Sequence, residues 1–423
     1  MREMKQSGIE WVGKIPAHWE ITKLKTNFTY EKGKNAALYT KEYVGLHKGN
    51  YPVYSGQTEN NGIMGTIDTF DYDLDECVFS TTVGAKVMTP MYLSGKFSLS
   101  QNCLIMKPIG TYLCKMLYYC LEPLFDCERE LIPSYMQPSL RFSDLNKYCL
   151  PQPPIPEQQA IADYLDGECA RIDGIVTTQR QIIERLKEYK KSVITEVVTR
   201  GLNPDVPMKD SGIEWIGKIP EHWEVRRIKT LGEYRNGLTY NPENMVDESN
   251  GTLVLRSSNI QNGKIVLDDN VFVNTIIPEQ LLVHKGDIII CSRNGSRELV
   301  GKNALIKEDI MASFGAFMMI FRTNYPEYIS YILNSAIFSY YLSTFFTATI
   351  NQLTGSNFGN MQIVFCPDLN EQQEIIDYLD GVCARIDTII EKRERMIELM
   401  TEYKKSLIYE CVTGKKEIVD VVE

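Results

Sequence analysis

The sequence predicts an α+β protein: two globular blocks separated by two long helices, laid out as a pseudo-two-fold internal repeat. Three observations predict this. The segment SGIEWVGKIPAHWE, Ser7 to Glu20, returns as SGIEWIGKIPEHWE, Ser211 to Glu224, with 12 of 14 positions identical. A longer pair starts at Glu157 and Glu371 and agrees at 26 of 43 positions. The stretches between the repeats, residues 21–152 and 225–366, look little alike. A repeat at this scale is the first thing that organises a chain, and 423 residues exceed what one hydrophobic core usually serves. The resulting division is 1–20, the first short repeat; 21–152, the first block; and 153–200, the first helix. The second half repeats the order as a connector with the second short repeat (201–224), a second block (225–366) and a second helix (367–414), followed by a tail (415–423).

The long repeat carries the heptad pattern of a coiled coil. In the first copy Leu165, Ile172, Leu186 and Val193 fall in one seven-residue series, with Val176, Ile183 and Val197 completing the seam. In the second, Leu379, Ile386, Met400 and Leu407 hold the same series beside Ile376, Ile390 and Ile397. Gln179 and Arg393 interrupt it at equivalent positions, either fixing register or facing solvent at a bend. The proline-containing segments LPQPPIPEQQ and CPDLNEQQ are credible starts, and Gly201 and Gly414 credible stops. Gly167 and Gly381 leave two options, a kink or a helix that begins only after DYLDG. A helix of this length is roughly 60 Å long. Each helix is separated from the next by a block, so the simplest pairing is antiparallel.

The blocks lack the strand–helix alternation of a parallel sheet. KIVLDDNVFV (264–273), GDIIICS (286–292) and ALIKEDI (304–310) read as short strands; 328–346 and 111–125 read as buried helices. Each block is therefore an α+β domain of ordinary size.

Composition narrows the chemistry. Eleven cysteines without a C-x-x-C pair read as buried thiols in a reducing compartment, not a disulfide frame or a zinc site. The opening MREMKQSG lacks an apolar signal region and no run spans a bilayer, so the expected location is cytoplasmic, without a membrane partner. The net charge of −10 is unevenly placed, with 8 basic against 14 acidic residues from Pro367 onward. The two blocks are near neutral and either could display a basic face. Gly8 to Lys14 and Gly212 to Lys218 have the Gly-x₄-Gly-Lys spacing of a phosphate-binding loop. Ile-Pro follows each lysine, however, where Ser or Thr and a helix are required, so nucleotide binding is rejected. Trp11 and Trp19, with Trp215 and Trp223, are all four tryptophans; with Ile15 and Ile219 they read as two apolar packing clips. Leu186 and Leu379 are assigned packing roles in the helices. His18 and His222 sit inside the clips, leaving His47 and His284, too few for a metal cluster or an acid–base pair. The residues predict a non-catalytic chain without a bound metal.

The paired SGIEW-[VI]-GKIP-[AE]-HWE segments, together with the paired EQQ…DYLDG…ARID…EYKKS helices around two unlike domains, resemble the specificity subunits of type I restriction–modification systems. The resemblance covers essentially the whole chain. It implies two target-recognition domains on an antiparallel spacer, reading an asymmetric, bipartite double-stranded DNA target with an unread gap. It implies two methyltransferase subunits and restriction/translocase subunits as partners. S-adenosylmethionine, ATP and Mg would belong to those partners, with no cofactor in this chain. The alternative is a structural adaptor, two modules on a coiled coil that bind no DNA.

Candidate DNA contacts come from polar loops, where arginine can read guanine and asparagine adenine. In the first block these are Ser55, Gln57, Lys86, Gln137 and Arg141. In the second, LRSSNIQNGK offers Arg256; CSRNGSRELVGKN offers Arg293, Asn294, Arg297, Lys302 and Asn303; and NQLTGSNFGN offers Gln352 and Asn357.

Overall fold

Both long repeats form single uninterrupted helices, Ile155–Arg200 and Leu369–Val412, so neither Gly167 nor Gly381 delays or breaks them. These spans come from a computed structural model, which describes residues 2–56, 59–84, 86–133, 135–345 and 351–418. The chain divides into two compact units, Met1–Gln179 with Arg395–Glu423, and Arg180–Glu394. Each long helix contributes one part to each unit.

In the first unit, Leu165, Ile172, Leu407, Ile408, Cys411 and Val412 are buried in one core that also takes in Val12, Ile15 and Trp19. In the second, Ile194, Val197, Val198, Ile375, Leu379 and Cys383 share a core with Ile219 and Trp223. The buried face is wider than a strict seam. Ile194 and Val198 lie deeper than Val193, and Leu186 is only half-buried whereas Leu379 is fully buried. Gln179 is buried and Arg393 half-buried, so the polar break in the heptads does not open onto solvent.

The blocks differ in sequence but follow one plan of strand pairing. Each is closed by an antiparallel two-strand stem joining its beginning to its end: Glu20–Lys23 with Cys149–Gln152, and Glu224–Arg227 with Gln362–Phe365. The first block builds a six-stranded sheet in the order Phe28–Lys32, Cys103–Pro108, Tyr72–Thr81, Pro90–Leu99, Lys48–Tyr54, Ile63–Ile67. Only the pairing of Lys48–Tyr54 with Pro90–Leu99 is parallel. The second block has a four-stranded sheet, Gly232–Asn236, Met318–Thr323, Ile288–Cys291, Asn303–Leu305, and another containing Thr252–Leu255 parallel to Ala312–Phe314.

The continuous apolar runs of the central strands follow from having a core on each face, since alternate side chains point to opposite sides. Ile288 and Ile290 enter the core that includes the helices, while Ile289 and Cys291 enter a separate one. Val78 and Cys77 divide the same way in the first block. The helix expected at 111–125 runs from Cys114 to Glu130 and includes Pro123. The one expected at 328–346 is two, Pro326–Leu333 and Ala336–Phe345, parted at Asn334 and Ser335. Ser335 caps the second of these, its hydroxyl accepting from Ile337 N–H at 3.2 Å. All eleven cysteines are free, and burial pushes the Cys77, Cys103, Cys120 and Cys411 thiols up to about 12. No helix among the described residues is long and apolar enough to cross a membrane.

Candidate nucleic-acid interface

The short repeats are docking elements, and their glycines make turns. Gly8 and Gly13 have φ of +73° and +72°, and Gly212 and Gly217 repeat this at +74° and +73°. These are left-handed conformations that L side chains adopt only at a cost. Ser7 N–H donates to Gly13 O at 2.9 Å and Ser211 N–H to Gly217 O at 2.9 Å, closing the same turn twice. Lys14 and Lys218 then open short strands instead of helices, which removes the phosphate-loop geometry.

Each buried indole meets a glutamate in the first turns of a long helix. Trp19 Nε1–H donates to Glu157 Oε2 at 2.8 Å, and Trp223 Nε1–H to Glu371 Oε2 at 3.1 Å. His18 Nε2 lies 2.6 Å from Glu157 Oε1, and His222 Nε2 lies 2.8 Å from Glu371 Oε2. Arg2 also engages Glu157. Burial pushes the Glu157 carboxyl up, but the Trp19, His18 and Arg2 donors outweigh it and hold it below the ordinary value of 4.5. Glu371 is likewise depressed, with burial opposed by Cys366, His222 and Trp223. Trp11 packs against the first core, and Trp215 against the second, stacked on Tyr340 at 4.3 Å between centroids. Further along, Asp166 accepts from Tyr119 Oη–H at 2.7 Å, and its counterpart Asp380 accepts from Tyr331. Each block is thereby fastened to its helix. The sequence signal for these four carboxylates is their recurrence at matching positions of the two long repeats.

In the second block the three polar loops come together. Asn294 Nδ2–H donates to Ser257 Oγ at 3.2 Å and Asn351 Nδ2–H to Gly295 O at 3.2 Å. Arg293 forms a backbone bridge with Gln352, and Leu353 N–H donates to Ser292 O at 2.7 Å. A fourth segment, the turn Gly315–Phe317, joins them: Phe317 O accepts from Ser292 N–H at 2.9 Å and Arg293 N–H at 3.1 Å. Within this cluster the candidates have different fates. Arg293 and Arg297 are exposed and Lys302 half-buried. Asn294 also accepts from Ser296 N–H at 2.9 Å, so its amide serves the loop's own shape. The guanidinium of Arg256 is held by Asp269 Oδ2 at 2.8 Å. Asn357 lies half-buried in the short helix Gly355–Asn360, its N–H donating to Thr354 Oγ1 at 3.1 Å. Asn303 is a correction: it is buried, donating to Gly301 O and Leu333 O at 3.0 and 3.1 Å, and joins strand to helix.

The first block gathers its loops around the turn at Ser100–Asn102. Ser100 N–H donates to Tyr54 O at 2.8 Å, Thr82 N–H to Asn102 O at 2.8 Å, and Leu140 N–H to Thr82 O at 2.8 Å. Lys86, Gln137 and Arg141 are exposed there, beside the exposed Tyr135 and Met136. Ser55 is buried and its N–H donates to Gly62 O at 2.9 Å, which makes it a turn-former. Gln57 lies outside the described residues.

The family model of the type I restriction modification DNA specificity domain matches residues 16–188 and 220–399, one copy for each half. The chain belongs to that family. Among relatives of this specificity-domain chain, the type I restriction enzyme StySPI specificity subunit of Salmonella potsdam is 29% identical over 205 residues. That match takes in 47% of this chain and 44% of the relative, so it spans under half of that subunit's length. The MjaVIII specificity subunit of Methanocaldococcus jannaschii is 24% identical over 419 residues, 95% of this chain and 94% of the relative. A chain from a solved type I R-M system, described for its complex assembly and conformational transition, shares the fold with a TM-score of 0.65. It is 12% identical, and the likeness covers 95% of this chain and 99% of that one.

Proposed function

We propose that this chain is the DNA-reading subunit of a type I restriction–modification complex. Its two blocks each read one half of an asymmetric, bipartite duplex target, and the chain scaffolds methyltransferase and restriction subunits. The observation that carries this reading is the convergence of loops. Separate polar loops of each block meet at one place, on strand pairings common to both blocks, while the side chains they display differ. Two unlike reading heads on one frame predict two unlike half-sites. The near-neutral charge of the blocks leaves further phosphate contacts to the methyltransferase partners. Cleavage and methylation, with S-adenosylmethionine, ATP and Mg, fall to the partners, in a cytoplasmic setting that suits eleven free thiols.

The two long helices act as the spacer, an antiparallel coiled coil. Supporting this, Asp173 pairs with Lys404 and Lys190 with Asp387, so partners fall along the second helix as positions rise along the first. The test is to reconstitute the chain with its methyltransferase subunits, expose it to a random duplex library, and map the methylated bases. A bipartite motif with two different halves is expected. Removing seven residues from equivalent places in both helices, about 10 Å, should shorten the gap by about three base pairs and leave both halves unchanged. A complex that assembles and methylates without any bipartite preference would leave the structural-adaptor reading in its place.

A further inference from the structure

The second block carries an exposed aromatic ring that its folding does not use. Phe317 is 59% exposed, at the tip of the turn between strands Ala312–Phe314 and Met318–Thr323. That turn is clamped on three sides. Gly315 N–H donates to Leu255 O at 2.9 Å, Leu238 N–H donates to Phe314 O at 2.7 Å, and Phe317 O accepts from Ser292 Oγ–H at 3.0 Å. Gly237 lets the turn approach closely, since a Cβ there would lie 2.3 Å from the carbonyl oxygens of Phe314 and Gly315. A single exposed phenyl is ordinary in itself; what sets this one apart is the clamped turn that carries it and the cation beside it.

Its neighbour supplies the chemistry. The Arg293 Cζ lies 5.4 Å from the Phe317 ring centroid, within cation–π range. The Arg293 backbone is fixed on both sides, by Phe317 O and by the bridge to Gln352. Four of the block's other arginines are committed to carboxylates: Arg226 to Glu224, Arg235 to Glu233, Arg256 to Asp269 and Arg322 to Asp287. Arg293 instead faces an aromatic ring, which orients a guanidinium without neutralising it and leaves its N–H edge to a partner. The acceptor pair that suits a guanidinium edge in duplex DNA is O6 and N7 of guanine in the major groove.

We infer that Arg293 reads a guanine in the half-site of the second block and that Phe317 is the residue that positions it. This rests on the proposed function and names a base contact within it. The experiment uses the reconstituted methyltransferase complex on a random duplex library, comparing wild type with Arg293→Ala, Arg293→Lys, Phe317→Ala and Phe317→Tyr. Arg293→Ala and Arg293→Lys should both lower the preference for guanine at one position of one half-site roughly tenfold or more, because lysine keeps the charge but loses the fork. Phe317→Ala should relax the same position roughly two- to fivefold, and Phe317→Tyr should restore it. The other half-site, read by the first block, serves as the internal control and stays unchanged. An unaltered motif in Arg293→Ala overturns the inference, as does relaxation in Phe317→Ala at a different position or across both halves. A wild-type complex with no bipartite motif sinks the proposed function itself, which is a separate outcome.

Discussion

The frame and the blocks of this molecule are duplicated in different ways. In the frame the copies share their main side-chain contacts: Trp19 on Glu157 and Trp223 on Glu371, Tyr119 on Asp166 and Tyr331 on Asp380, Asp173 with Lys404 and Asp387 with Lys190. In the blocks only the backbone plan is shared, while the loops and even the number of helices differ. A side-chain hydrogen bond constrains identity at both ends, because an orphaned buried donor or acceptor is costly. A strand pairing is made by the backbone and asks only for a side chain that suits each face. A frame of side-chain contacts beside blocks built on backbone contacts therefore lets the blocks' surfaces change without loosening what holds them.

The severest test of that equivalence is to remove an indole. Trp19 and Trp223 are both fully buried, and Trp→Ala at either should cost about 3–5 kcal/mol. Thermal unfolding should report comparable losses for the two variants, while any complex that still assembles keeps its DNA motif. A motif change in either would mean that the clip belongs to the reading surface.

The glycines that end the helices should break the symmetry instead. Gly201 and Gly414 have nearly the same φ, +74° and +70°, so alanine at either should cost about 1–2 kcal/mol in backbone strain. Their surroundings differ: a Cβ at Gly414 would lie 2.4 Å from Pro16 Cδ, whereas at Gly201 the nearest atom is Glu371 Oε1 at 3.3 Å. Gly414→Ala should lower the unfolding midpoint further than Gly201→Ala. Equal losses would mean that Pro16 yields freely.

Much of the frame was legible in the sequence because helices and turns are local. The heptads place both helices to within a few residues, and the Ile-Pro after each Gly-Lys points to the short strands found there. The stems, Glu20–Lys23 with Cys149–Gln152 and their counterparts, were not legible: each strand has four residues, and its partner lies more than a hundred positions away. Phe317 was hidden inside an apolar stretch, and only the tertiary clamp on its turn reveals that the ring is left outside. Asn303 and Ser55 are buried, which their loop sequences do not show, for the converse reason. A polar residue in a loop sequence looks available until a strand or turn buries it.

Replacing Glu157 or Glu371 by Gln probes the docking contact through pH. Both carboxyls are held below the ordinary 4.5, so each adds stability that is fully present above that value and disappears as pH falls through its lower folded value. Near neutral pH each Glu→Gln change should cost about 1 kcal/mol, softened by the partial exposure of these groups. The wild-type unfolding midpoint should then fall more steeply than the variants' below pH 4.5. Parallel curves would show that the carboxyls' charge contributes nothing to docking.

The smallest expected effect separates geometry from exposure. The two helix–helix ion pairs have matching N–O distances, 2.7 Å in each, yet Asp173 is 61% exposed and Asp387 only 33%. Surface pairs are worth about 0–1 kcal/mol, the exposed ones least. A double-mutant cycle on Lys190 and Asp387 should give a coupling near about 0.5–1 kcal/mol, and one on Asp173 and Lys404 about half of that or less. Salt at about 1 M, where the screening length drops to about 3 Å, should erase the second coupling first. If the couplings are equal and equally resistant to salt, exposure does not distinguish the two copies. The frame would then be symmetric in energy as well as in contacts, and asymmetry in what the molecule does would have to come from the blocks alone.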